Sequence, residues 1–93
     1  MEKYMNSENT KIAIFKGKKI RKTIHNNEWW FVIEDVVSVL TESIQPKGYI
    51  KDMRRRDVEL AKGWGQIATP LKIETQGGFQ NINCANTEGI FRI

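Results

Sequence analysis

The chain predicts an α+β fold, on three observations. Segments of two-residue alternation occupy both ends, a helical period governs the middle, and turn-forming residues stand between the alternating segments. The expected architecture is an N-terminal three-stranded meander, two central helices, a second β-hairpin and the start of a C-terminal helix.

Residues 11–15 (Lys-Ile-Ala-Ile-Phe) read as a strand with Ile12 and Ile14 on one face. Gly17-Lys18 is the expected turn. Residues 20–25 then set Ile20 and Ile24 against Arg21, Thr23 and His25. Asn26-Asn27 supplies two residues that tolerate left-handed geometry, as a tight hairpin requires. Residues 28–33 (Glu-Trp-Trp-Phe-Val-Ile) are aromatic and β-branched, which suits a third strand. Trp30 should point away from Trp29 and Phe31, because successive strand side chains alternate.

At Ile33 the period changes. Ile33, Val36, Val37, Leu40 and Ile44 share one face at helical spacing, and Glu34 and Asp35 favour a helix N-terminus. The first helix is expected over 34–41, and Gln45-Pro46 ends it. Proline suits the first turn of a second helix running to about Arg56, with a continuation through Val58, Leu60 and Ala61. Gly63-Trp64-Gly65 is expected to end that helix, with Trp64 either plugging the core from a loop, the favoured reading, or stacking on a base or a partner. Residues 70–75 and 79–84 form the second hairpin about Gln76-Gly77-Gly78. Asn86 or Thr87 caps a last helix containing Glu88. That helix is too short to stand without docking, and a longer natural polypeptide is expected.

The 93 residues allow one domain, taken as 11–93 behind a flexible arm, 1–10. The single cysteine, Cys84, excludes an internal disulfide and fits a reducing cytoplasm. No apolar run reaches the ~20 residues of a membrane span, and residues 1–10 do not resemble a signal peptide. One histidine and one cysteine do not make a zinc site. There is no phosphate-binding glycine loop and no dinucleotide fingerprint. Glu34 and Asp35 diverge on a helix and make a poor acid–base pair. The expectation is a non-catalytic protein with no cofactor and no metal. His25 is expected at the surface and Cys84 as a small buried apolar group.

The formal charge is +4. Its densest part is the second helix. At ~100° per residue, Lys47, Lys51 and Arg54 fall within about 60°, with Arg55 beside them. Tyr49, Ile50 and Met53 gather elsewhere as a packing surface. Such a face can neutralise phosphates, and an arginine can reach a guanine edge. Arg56 lies apart, four residues after Asp52 and so placed to pair with it. A second cluster, Lys16, Lys18, Lys19, Arg21 and Lys22, surrounds the first turn, where a basic ribbon can lie on a nucleic acid or guard a sheet edge.

Four segments, in order, carry a resemblance. Residues 28–43 resemble the signature of the BRO family N-terminal domain, where an aromatic strand runs into a helix. Residues 46–55 are similar to the family's next helix, and the hairpin at Gly77-Gly78 to its glycine turn. Residues 83–93 look like the segment leading into its later helix, in the form of the bacterial branch that includes DNA-damage-inducible protein D. Residues 66–76 depart from the proline-glycine-glycine form common in antirepressors. The resemblance implies a DNA-binding domain of a phage, prophage or DNA-damage-linked transcription regulator, acting in the bacterial cytoplasm on double-stranded DNA. The residues expected to contact DNA are Lys47, Lys51, Arg54 and Arg55, with Arg56, Lys18, Lys19, Arg21 and Lys22 secondary. The competing expectation is a protein-interaction module that docks an acidic regulator. A third is a fragment of a nucleic-acid enzyme whose catalytic part lies downstream.

Overall fold

The computed structural model describes residues 10–93, so the arm expected over 1–10 lies outside the described residues apart from Thr10. The α+β expectation holds. Strands β1 (Thr10–Phe15), β2 (Lys18–His25) and β3 (Glu28–Val32) form an antiparallel meander. Helices α1 (Ile33–Thr41), α2 (Pro46–Arg56) and α3 (Val58–Ile67) follow, then the hairpin β4 (Thr69–Thr75) and β5 (Gly78–Asn86), and the short helix α4 (Thr87–Phe91). All five strands join one sheet in the order β1-β2-β3-β5-β4.

The turns explain the meander. Asn26 and Asn27 both have positive φ, 54° and 64°, the paired left-handed geometry whose twist matches the flanking strands. Lys16 and Gly17 do the same, at 55° and 75°. The first turn therefore lies one residue before the expected Gly17-Lys18, and Lys18 already pairs with Phe15. The second hairpin shows the same one-residue shift: Gln76-Gly77 turns, and Gly78 pairs with Thr75.

Three expectations about the helices are corrected. Ile33 is the first residue of α1 rather than the last of β3. The buried side of α1 is Ile33, Val36, Val37 and Val39, whereas Leu40 is 57% and Ile44 94% exposed. Glu42 takes a left-handed φ of 57° and ends the helix, so Ile44 never reaches the helical face. Leu40 instead borders an open apolar depression with Phe15, Phe31 and Phe91.

The third correction concerns the glycines. The chain breaks at Asp57, not at Gly63-Trp64-Gly65. Asp57 is extended, and its side chain accepts a hydrogen bond from the Leu60 N–H at 3.1 Å, an N-cap that opens a separate helix. Helix α3 then runs through both glycines. Trp64 is buried, in a cluster with Ile33, Val37, Ile50, Ile67 and Ala85. That burial outweighs the roughly 1 kcal/mol each glycine costs a helix. Trp64 does plug the core, but from a helix.

The helices cover one face of the sheet, through this cluster and a second made of Ile20, Val36 and Val39. Val32, Ile73 and Cys84, none with any exposure, lie on the opposite face with Trp30, Leu71 and Ile82. Sheet curvature buries them. In a flat sheet β1 and β4 would be about 19 Å apart, four strand spacings. Here Thr10 Oγ1 of β1 accepts a hydrogen bond from the Glu74 N–H of β4 at 3.3 Å, so the sheet rolls over its own uncovered face. Trp30 and Phe31 point to opposite faces as expected, and the Trp30 indole donates to the His25 carbonyl at 3.0 Å. His25 is half-buried against Trp30 rather than freely exposed.

Asn86 provides the last cap, its Oδ1 accepting from the Gly89 N–H at 2.9 Å. A Cβ at Gly89 would lie 3.2 Å from the Ala85 Cβ. The glycine thus lets α4 sit directly on β5.

Candidate nucleic-acid interface

The basic residues of α2 divide into three groups. Lys47, Lys51 and Arg54 are exposed, and none forms an ion pair with another described residue. Pro46 starts the helix, and Ile50, on its buried side, seats it against α1 and α3, which turns these cations outward. The Arg54 guanidinium lies over the Trp64 ring, 4.9 Å from its centroid. This stacking restricts Arg54 and leaves its N–H fork available to an anion.

Arg55 is the partner of Asp52, at 2.9 Å, so the expected Asp52–Arg56 pair is replaced by one a residue shorter. Both side chains are well exposed, and such a pair contributes at most about 1 kcal/mol. Arg56 lies on another side of the helix, where it lines a depression with Met53, Asp57, Leu60 and Arg92. It does not join the other three.

The first hairpin's cations are less available. Arg21 makes a bidentate ion pair with Asp35: Nε donates to Oδ2 at 2.8 Å and Nη2 to Oδ1 at 2.9 Å. The Arg21 backbone N–H also donates to Asp35 Oδ2, at 2.9 Å. The Asp35 carboxylate thereby takes the place of a strand neighbour where the β2–β3 ladder stops. The hydrogen bonds to Asp35 raise the already high Arg21 pKa, with burial opposing them. Lys22 is over the Trp29 ring, its Nζ 4.0 Å from the centroid, and Lys16 is over Phe15 at 5.6 Å. Lys18 and Lys19 are exposed beside the turn.

Two adjoining depressions run between α2 and β5. The larger, about 380 Å³, is lined by Arg21, Glu34, Lys47, Gln80, Asn81, Ile82 and Asn83. The smaller, about 100 Å³, shares Glu34, Lys47 and Asn83 with it and extends to Arg54 and Trp64. Sequence reasoning missed the amide row Gln80, Asn81 and Asn83. Its signal was present, since asparagine is depleted in strands and two lie in this stretch.

Among the described residues no group of three or more His, Cys, Asp or Glu gathers as a metal site, and no helix is long and apolar enough to cross a membrane. Cys84 is fully buried. Desolvation pushes its thiol pKa up to about 11, so it remains protonated at neutral pH. Comparison with protein-family models, with curated proteins and with solved structures finds no match.

Proposed function

We propose that this domain binds double-stranded DNA without catalysis, through the outward face of α2. The observation that carries the reading is the set Lys47, Lys51 and Arg54: three exposed cations on one helix face, without ion pairs among the described residues. Lys47 and Lys51 act as point charges on phosphates, and stacked Arg54 offers a fork for a phosphate or a guanine edge. Arg55 adds a contact at the cost of its exposed pair with Asp52. Lys18 and Lys19 extend the footprint from the first hairpin. Arg21 and Lys22 contribute field rather than contact, because each is already engaged.

The resemblance of four ordered segments to the BRO N-terminal domain supports the same reading. With it comes the proposal of a phage, prophage or DNA-damage-linked transcription regulator in the bacterial cytoplasm. The test is fluorescence anisotropy with a labelled duplex at fixed salt. K47A/K51A/R54A should keep the wild-type circular dichroism and lose at least tenfold in affinity. A folded triple variant that binds as tightly as wild type overturns the assigned face. Selection from random duplexes then separates a defined site from backbone-only binding.

A further inference from the structure

We infer that the inner edge of β5, residues 79–83, accepts an extended acidic segment of a partner protein as an added strand. This goes beyond DNA contact by α2: it shares Lys47 and Arg54 with that reading and adds recognition by the strand backbone. Strand β5 is paired with β4 from Gly78 to Cys84, but with β3 only from Cys84 to Asn86. Strand β3 stops at Val32, where the chain turns into α1. From Gly78 to Asn83 the other side of β5 meets no strand among the described residues.

The ladder phase shows which backbone groups this exposes. In a two-residue hairpin, the residues flanking the turn exchange both hydrogen bonds, and pairing then alternates along the strands. Gly78, Gln80, Ile82 and Cys84 accordingly face β4. Phe79 and Asn81 send their N–H and C=O groups to the open side, and Asn83 sends its N–H there, its C=O being turned to the Ile33 N–H by the Val32–Cys84 pairing. The same counting sends the Glu74 N–H away from β5, where it donates to Thr10 Oγ1. It also sends the Arg21 N–H toward the last residue of β3, Val32, where it donates to Asp35 instead. Both observed bonds fit the assigned phase.

The β4 edge is guarded. On β4 the outward positions are Pro70, which has no N–H, charged Lys72, and Glu74, already bonded to Thr10. On β1 the outward positions are Thr10, whose hydroxyl is bonded to Glu74, and Ile12 and Ile14, which have Lys11 and Lys16 only as flanking charges. The stretch from Gly78 to Asn83 has neither charge nor proline, and all of it is exposed except half-buried Ile82.

The occupant follows from the chemistry. Alternating donors and acceptors at strand spacing match a peptide backbone. Phosphates, which only accept, would leave the carbonyls unanswered. The depression along residues 80–83 holds Lys47 against Glu34, with Arg21 neutralised by Asp35, and Arg54 in the depression adjoining at Asn83 leaves the excess charge positive, which favours an acidic strand. A second copy is a poor occupant: its own edge has no acid, and it would bring another Lys47 to the contact.

The test is an amide-resolved titration of the 15N-labelled chain with a blocked seven-residue peptide alternating glutamate and valine, beside its lysine counterpart. The Phe79, Asn81 and Asn83 amides should shift to saturation with the acidic peptide and gain at least tenfold protection from exchange. Binding should weaken at least tenfold in Asn81→Pro, which removes an outward N–H and no β4 bond. Should that variant unfold, Asn83→Glu places a carboxylate on the groove and should weaken binding similarly. The inference is overturned if these amides stay unmoved, or if the lysine peptide binds equally well. It is likewise overturned if the same amides shift with protein concentration alone, which assigns the edge to a second copy, or with duplex DNA but not peptide.

Discussion

The two cationic clusters look alike as sequence and differ as chemistry. The first hairpin carries five lysines and arginines within residues 16–22, and α2 carries five within 47–56. In the hairpin, Arg21 is fixed by Asp35, and Lys22 and Lys16 lie over aromatic rings. On α2, Lys47 and Lys51 stand clear, and the one aromatic contact, Arg54 on Trp64, leaves the guanidinium edge open. Charge density alone therefore does not identify an anion site. What matters is whether the fold has already given each charge a partner.

The largest expected effect breaks the hairpin's pair. Asp35→Asn removes the carboxylate from a part-buried Arg21 side chain and one backbone N–H, and should cost about 2–3 kcal/mol. Lys47→Ala and Lys51→Ala should each stay within about 0.5 kcal/mol. Urea unfolding midpoints check both. Equal destabilisation in the two regions would erase the distinction.

Cys84, behind the hairpin, titrates with the fold. Its thiol pKa is raised from 9.0 to about 11 by burial. The unfolded thiol ionises first, so the stability from burying the neutral group is whole below pH 9 and is lost as pH rises through about 11. Between these values wild type should lose up to about 1.4 kcal/mol per pH unit more than Cys84→Ala. Unfolding curves at pH values from about 8.5 to about 10.5 measure the difference, and parallel curves contradict it.

On the α2–α3 side, Gly65 is exposed in the last turn of α3, and a Cβ added there would meet nothing within 4 Å. Gly65→Ala should stabilise by about 0.5–1 kcal/mol. A destabilised variant would restore a terminating role to the glycine pair. The smallest effect belongs to Arg55→Ala, under about 0.5 kcal/mol in stability, because its pair with Asp52 is exposed.

Much of this was legible in the sequence. The asparagine pair, the aromatic strand, the helix-period apolar face and Pro46 placed the meander, α1 and the start of α2 within a residue or two. Local signals failed where distant groups decided the outcome. Gly63-Trp64-Gly65 reads as a terminator until the core that captures Trp64 is known. Arg21 reads as a DNA ligand until Asp35, fourteen residues on, folds back to it. The amides of β5 gained meaning only when β3 proved too short to cover them.

The most direct measurement of the central claim is the salt dependence of duplex binding by two charge-removal variants. For K47A/K51A/R54A, the slope of log K against log salt should flatten by about 2–3 relative to wild type, at roughly 0.9 for each phosphate no longer neutralised. For K18A/K19A it should flatten by less than about 1. The reverse order, or no change in either, would contradict an interface centred on α2.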